Sequence, residues 1–338
     1  MFIATTLQEI KVEYMSASPT PGAAFTGVST LSVRPLAGAQ FGAEISGLDP
    51  LNISEADTRI IWDTYKERHG LLCFNFGRLL TAEELHALTS VFGENEFAPG
   101  LINGIGKKTP AGEEHLSVEQ QVKTLRAGGR DPYMGYIGNL DPTTLDLKPT
   151  SKKFYGEWEW HSDMSYIEVP PTFSLLHARV IPDEGGDTGF CNQVMAAQTL
   201  PAQLRARVQN QQIKHDSTYG SSGTPRPGMT APASPIEAIG YPHPVLRKVP
   251  STGEEAMFLG RRTNGYALGM PLEGSEQLLD ELWTHATQEQ FCYRHKWQVG
   301  QCVVWDNRLM MHMRYEMDDS LARFMWRTQT KGEAVIPA

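Results

Sequence analysis

The chain has 338 residues, 40% hydrophobic and 20% charged, which is enough to bury a large core and shows no repeat or compositional bias. Its formal charge of -9 excludes the basic stripe of a nucleic-acid binder but leaves room for a local positive pocket. Four scattered cysteines with no CxxC pair, charged residues early in the chain and no long apolar run predict a soluble, cytoplasmic protein with reduced thiols and no membrane span.

Residues 1–30 include SASPTPGAAFTGVS, small and rich in Pro and Gly, and read as a flexible leader before a single domain over 31–338. A strand is expected at LSVRPL. Ser54 and Asp57 form a capping-box pattern, predicting a helix that ends near His69 and stops at Gly70. LLCFNF is a short apolar strand, and Thr81 with Glu84 caps a second helix that ends at Gly93. From about 99 to 156 the sequence is irregular, with many Gly, Lys and Thr, and reads as a lid or insertion; a second loop spans about 219–235. FSLLHARV, AMFLG, YALGM, CVVWD and RFMWRT are strand-like, and one more helix fits SEQLLDELWTHATQ from Ser275. Many short strands with few helices predict a mainly β fold, a sandwich or barrel with helices outside.

EWEWHSDMSY, residues 157–166, carries an H-x-D pair, His161 and Asp163, which an extended backbone projects to one face. The pair alone is common by chance, and a solvated aspartate beside a core histidine accounts for it equally well. His312, in WDNRLMMHMRY, supplies a third candidate donor, and two His with one carboxylate form the facial set of non-haem Fe(II) oxygenases. His177 and His285 lie in apolar or helical runs and read as packing residues. Arg323 and Arg327 are four apart in RFMWRT, so a strand would put both on one face, suited to clamping carboxylates. A surface pair on an edge strand is the plainer alternative. GGDT, residues 185–188, is a tight turn that presents the hydroxyl of Thr188.

Taken together, WHSDMSYIEVPP, PDEGGDTGF, HPVLRKVPSTGEEAMFLG and WDNRLMMH, with the terminal arginines, resemble the TauD/TfdA family of Fe(II)- and 2-oxoglutarate-dependent dioxygenases. LSVRPLAGAQFGAEISGLD and the FGE at 92–94 extend the likeness over most of 31–328. The resemblance implies a double-stranded β-helix, a cupin-like jelly roll, with His161, Asp163 and His312 holding iron. It implies that Thr188 and Arg323 hold the distal carboxylate of 2-oxoglutarate, that Asn139 lies near that acid, and that Arg327 meets an anionic substrate. Two positions depart from the taurine branch: Ala98 stands in place of a histidine and Glu157 in place of an asparagine, which disfavours taurine itself. Glu157 and Trp158 then fall on the approach to the metal, where Glu157 would suit a substrate nitrogen or simply face solvent. Retention of Asp163 disfavours halogenation.

The expected activity is oxidation of a small anionic or zwitterionic substrate by hydroxylation or oxidative cleavage, consuming O2 and 2-oxoglutarate and releasing succinate and CO2. A metal-dependent hydrolase using zinc on the same donors, and a jelly-roll binding protein without chemistry, stay open as alternatives. A small molecule is the expected partner; neither nucleic acid nor membrane is, and a homo-oligomer is not excluded.

Overall fold

Residues 29–99, 117–148, 159–220, 225–226 and 228–338 are described by the computed structural model. Nearly all of the expected leader, two parts of the 99–156 segment and part of the 219–235 loop therefore lie outside the described residues. In chain order the elements begin with β1 (Ser32–Pro35), β2 (Ala43–Ser46), α1 (Glu55–Glu67), β3 (Leu71–Asn75) and α2 (Ala82–Ser90). Next come α3 (Val118–Ala127), β4 (Gly135–Gly138), β5 (Phe173–Val180), β6 (Thr188–Asn192), α4 (Gln193–Gln198) and α5 (Ala202–Val208). The rest are β7 (Gln212–Asp216), β8 (Gly240–Pro244), β9 (Leu246–Val249), β10 (Glu254–Met257), β11 (Tyr266–Ala267), α6 (Leu272–Ala286), β12 (Cys292–His295), β13 (Gln301–Asp306), β14 (Met310–Arg314), β15 (Phe324–Gln329) and β16 (Ile336–Pro337).

Both expected N-terminal helices form, and for the predicted reason. The side chains of Ser54 and Thr81 accept from the N3 backbone, while Asp57 and Glu84 reach back to the cap N–H. α1 connects β2 to β3 in parallel, and the other strand pairs of the main sheet run antiparallel. That sheet has seven strands in the order β1-β2-β3-β13-β5-β15-β4, so the arginine strand β15 is interior and not an edge.

In a smaller sheet, β12-β6-β14, strands β6 and β14 are covered on both faces. Phe190 and Met310 contribute to the core shared with the main sheet, where Phe190 meets Trp305 at 5.5 Å between ring centroids. Their neighbours Cys191 and Met311 join a second core with α4, α5 and α6. This period of two is what strands covered on both sides require, and it aims residues 188, 190, 312 and 314 at the main sheet. The result is a jelly roll with helices outside, as the many short strands predicted.

Three helices escaped the sequence reading: α3, α4 and α5. α3 and β4 replace part of the irregular segment expected from 99 onward, and β4 extends the main sheet by pairing with β15. α6 begins at Leu272, three residues before the expected Ser275. Among the described residues no helix is long and apolar enough to cross a membrane.

A candidate metal centre beside an anion pocket

His161 and His312 face each other across an isolated antiparallel bridge. Each backbone N–H donates to the other's carbonyl, at 3.0 Å from His161 and 2.8 Å from His312. A pair that exchanges both bonds holds its side chains on one side of the ladder, and the two imidazole centroids lie 4.2 Å apart. Asp163 follows two residues after His161. One donor atom from each of the three lies within 4.8 Å of the others, and all three residues are buried.

Neighbouring groups orient these donors. Nδ1 of His161 donates to the carbonyl of Glu159 at 2.7 Å, which leaves the ring's lone pair on Nε2. The ring of His312 sits 4.8 Å from that of Trp305. Asp163 uses its two oxygens differently: Oδ1 lies 3.8 Å from His312 Nε2, while Oδ2 accepts from Ser174 Oγ at 2.7 Å. Asn307 donates in turn to Ser174 Oγ at 3.0 Å, and Trp305 Nε1 donates to Asn307 at 2.9 Å. Two oriented imidazoles and one carboxylate are the donor set that suits a non-haem Fe(II) ion, so these residues fit the metal.

Arg327 is placed differently from expectation. Its Nη2 lies 2.7 Å from Asp163 Oδ2, so the guanidinium braces the candidate metal carboxylate. Arg323 lies just before β15, and it lines the same cavity as Arg327.

Arg323 instead turns toward the GGDT loop, where Nε donates to the Gly186 carbonyl at 3.1 Å. It is 2% exposed, and burial first, then the charge of Arg314, pull its pKa down to about 9. Such a buried cation calls for an anion. The loop needs glycine here: Gly186 has φ +69, and an added Cβ would press on Arg323 Cδ at 3.1 Å. Thr188 lines the same cavity, and its Oγ1 accepts from Trp297 Nε1 at 2.9 Å. Indole only donates, so this bond occupies an acceptor site and leaves the Thr188 proton available to an anion.

Asn139 is held by the backbone and does not offer its amide to the cavity. Its Nδ2 donates to the carbonyls of Asp319 and Leu321, and its Oδ1 accepts from Arg323 N–H at 2.8 Å. The residue thus fixes the turn that delivers Arg323. Gly138 permits this approach, since a Cβ there would come within 1.9 Å of the Arg323 carbonyl. Glu157 and Trp158 lie outside the described residues, whereas Trp160 packs against the second core. His177 and His285 are also packing residues, bonded to backbone at Leu80, Gln301 and Ala196.

The metal donors, Thr188, Arg323 and Arg327 all line one cavity of about 1140 Å³. Its wall carries Arg130, Lys148, Arg226, Arg261, Arg314, Arg323 and Arg327 against Asp131, Asp141, Asp163 and Asp216. Among the described residues the wall of this acidic chain's cavity is therefore net positive, which favours small anions. Arg226 lies over the ring of Tyr166, 4.0 Å from its centroid, so the expected 219–235 loop reaches this wall. Trp297, Ser174 and Arg314 were not singled out in the sequence, because their partners are set by strand register and not by local spacing.

Asp131, in the wall, bonds His86 on α2. This contact holds His86 above its usual pKa, mainly through the Asp131 hydrogen bond; for Asp131, burial pushes upward but the bond from His86 leads the effects that bring it below. A raised histidine pKa contributes stability below about pH 6.5 that is lost as pH rises through the folded-state value. The depressed aspartate contributes above about pH 4 and loses its part as pH falls. His86→Gln is therefore expected to cost about 1 kcal/mol at pH 5.5 and less at pH 9, measured by urea denaturation. An equal cost at both pH values would refute an ionic link.

The family model for "Taurine catabolism dioxygenase TauD, TfdA family" matches residues 32–329. The chain is 31% identical over 235 residues to (S)-phenoxypropionate/alpha-ketoglutarate-dioxygenase of Sphingobium herbicidovorans, covering 65% of this chain and 80% of that protein. It is also 31% identical over 241 residues to the alpha-ketoglutarate-dependent sulfate ester dioxygenase of Pseudomonas putida, covering 67% and 76%. Among solved structures, AAD-2 in complex with Mn(II) and N-oxalylglycine superposes with a TM-score of 0.69 at 25% identity, over 92% of this chain and 100% of that one. With its motifs in order on a jelly roll and a family match over residues 32–329, the chain belongs to the TauD/TfdA family of alpha-ketoglutarate-dependent dioxygenases.

Proposed function

We propose that this enzyme couples oxidative decarboxylation of 2-oxoglutarate to oxidation of a C–H bond in a small anionic organic substrate. The observation that carries the reading is the adjacency, in one cavity, of a buried His/Asp/His set and the buried Thr188–Arg323 pair. Fe(II) held by His161, Asp163 and His312 would supply the O2-activating centre that the reaction needs. Asp163 Oδ1 faces the metal position, while Ser174 and Arg327 hold Oδ2 and keep the carboxylate from rotating. Arg323 and the hydroxyl of Thr188 bind the distal carboxylate of 2-oxoglutarate, with Trp297 aiming the hydroxyl. Trp305, Phe190 and Leu176 pack around these groups and keep bulk water from them.

The positive wall, with Arg226, Arg261 and the outer part of Arg327 away from Asp163, favours a substrate carrying a carboxylate or sulfur oxyanion. The relatives named for phenoxypropionate and a sulfate ester point to the same class. Where the oxidised carbon bears oxygen, the hydroxylated product would collapse and cleave the C–O bond.

Oxygen uptake with Fe(II), 2-oxoglutarate and a panel of aryloxy acids, sulfate esters and sulfonates tests the reading. Succinate formation that depends on both Fe(II) and 2-oxoglutarate is expected, and is stimulated by at least one panel member. Zinc-supported hydrolysis without 2-oxoglutarate, or no turnover with any of the panel and no 2-oxoglutarate binding, would overturn it.

A further inference from the structure

Two of the four scattered cysteines meet in the fold. Cys191 on β6 and Cys292 on β12 stand directly opposite each other in the antiparallel ladder of those strands. Opposed residues of such a ladder hold their Cα atoms about 4.5–5.5 Å apart, inside the range of about 4.4–6.8 Å that a disulfide spans. The two Sγ atoms are 3.0 Å apart, and all four cysteines are free thiols. Cys73 and Cys302 also lie on adjacent strands, but Cys73 is opposed by Val303 and Cys302 by Phe74. Being one register position apart, they project to opposite faces of the main sheet.

The surroundings of the opposed pair set an order of events. Cys191 is fully buried whereas Cys292 is partly exposed, so a soluble oxidant reaches Cys292 first. The Cys292 thiol donates to Cys191 Sγ, and the Cys191 thiol donates to the Ala286 carbonyl at 2.8 Å. The bond from Cys292, then burial, push the Cys191 thiol above its usual pKa. Oxidation of Cys292 removes that donor, and with it the larger of the two effects.

We propose that Cys191 and Cys292 form a site of reversible oxidation, at which a peroxide closes a disulfide between β6 and β12. The Cys292 sulfur attacks the peroxide O–O bond, becomes a sulfenic acid and releases one water. The Cys191 sulfur then displaces the hydroxyl group of that sulfenic acid. The S–S bond forms, and the second water leaves with the Cys191 proton. In total the two thiols lose two hydrogens with their electrons, and hydrogen peroxide becomes two waters. The sulfur atoms need to close by only about 1 Å to reach bonding distance, so the strand register stands. Neither cysteine lines the cavity. Trp297, just after β12, donates to Thr188 on β6, so the cross-link ties together the two segments that make this bond. It also joins residues 101 positions apart, which constrains the unfolded chain over a long loop.

Treatment of the full-length protein with hydrogen peroxide, with a chelator present to keep iron from reacting, tests this without turnover. Two of the four thiols are expected to disappear under native conditions, a Cys191–Cys292 peptide to appear in a non-reducing digest, and dithiothreitol to restore both thiols. The urea midpoint of the oxidised protein is expected to rise by on the order of 1 M over the reduced protein. That comparison needs no variant, and Cys292→Ser should show no rise on the same treatment. A sulfinic or sulfonic acid at Cys292 with no linked peptide would overturn the proposal. So would a link to Cys73 or Cys302, or one that forms only in denaturant. A cross-linked protein with an unchanged or lower midpoint would show that the native register does not accommodate the bond, and would overturn it as well.

Discussion

Asp163→Ala is expected to abolish 2-oxoglutarate turnover and to weaken Fe(II) binding by more than the 10- to 100-fold, roughly, that follows loss of an outer partner of a metal ligand. Two physical terms add. The substitution removes the only anionic donor of the set, and it leaves Arg327, which now lies 2.7 Å from Asp163 Oδ2, facing two imidazoles with no carboxylate between them. A positive charge in that position opposes cation binding directly. Ser174→Ala should be milder, because it removes one hydrogen bond to Oδ2 while Arg327 still holds the carboxylate. Its expected cost is about tenfold in Fe(II) affinity. An anaerobic Fe(II) titration followed by a succinate assay measures both variants. Full succinate production by anaerobically Fe(II)-loaded Asp163→Ala protein would sink the ligand assignment.

How much of this could be read from the sequence depends on the range of each interaction. His161 and Asp163 were legible because their spacing of two is itself a strand property. His312 could be named as a third candidate donor, but its pairing with His161 could not be read locally, since the bridge joins residues 151 positions apart. The spacing of Arg323 and Arg327 suggested a common face but not their separate partners. Both line one cavity, where the interior position of β15 brings Arg327 to Asp163 while Arg323 bonds the Gly186 carbonyl. Asn139 lies against Arg323, but its amide is spent on the carbonyls of the 319–321 turn, a pairing that no local pattern announces.

The missed helices are short or follow an unread cap. Ser117 and Gln120 form the same capping box as Ser54 and Asp57, and that signal could have located α3. Asn192 caps the six residues of α4, too few for a periodic pattern to emerge. Trp297 lies 109 positions from Thr188, and nothing local to either residue announces their bond.

The largest expected loss of stability comes from Asp306, which closes β13 just before the turn that leads to the strand of His312. Asp306 is 0% exposed and is surrounded by donors. Arg308 approaches with Nε at 3.0 Å from Oδ1 and Nη2 at 2.7 Å from Oδ2, and Tyr65 donates its hydroxyl to Oδ2 at 2.6 Å. Burial opposes the charge on Arg308, but the adjacent Asp306 more than offsets it and keeps the guanidinium protonated. Asp306→Ala would leave that buried cation without its main partner, at a cost of about 3–5 kcal/mol. By contrast, the exposed pair of Arg34 and Glu44 should contribute less than about 1 kcal/mol. The double variant Asp306→Ala/Arg308→Met separates two explanations of the loss. If the orphaned charge dominates, removing Arg308 as well should restore about 1–3 kcal/mol relative to the sum of the single costs in chemical denaturation. If the costs simply add, the pair is not the source of the loss. The network would then stabilise the β13–β14 turn through Tyr65 and the backbone, not through buried charge.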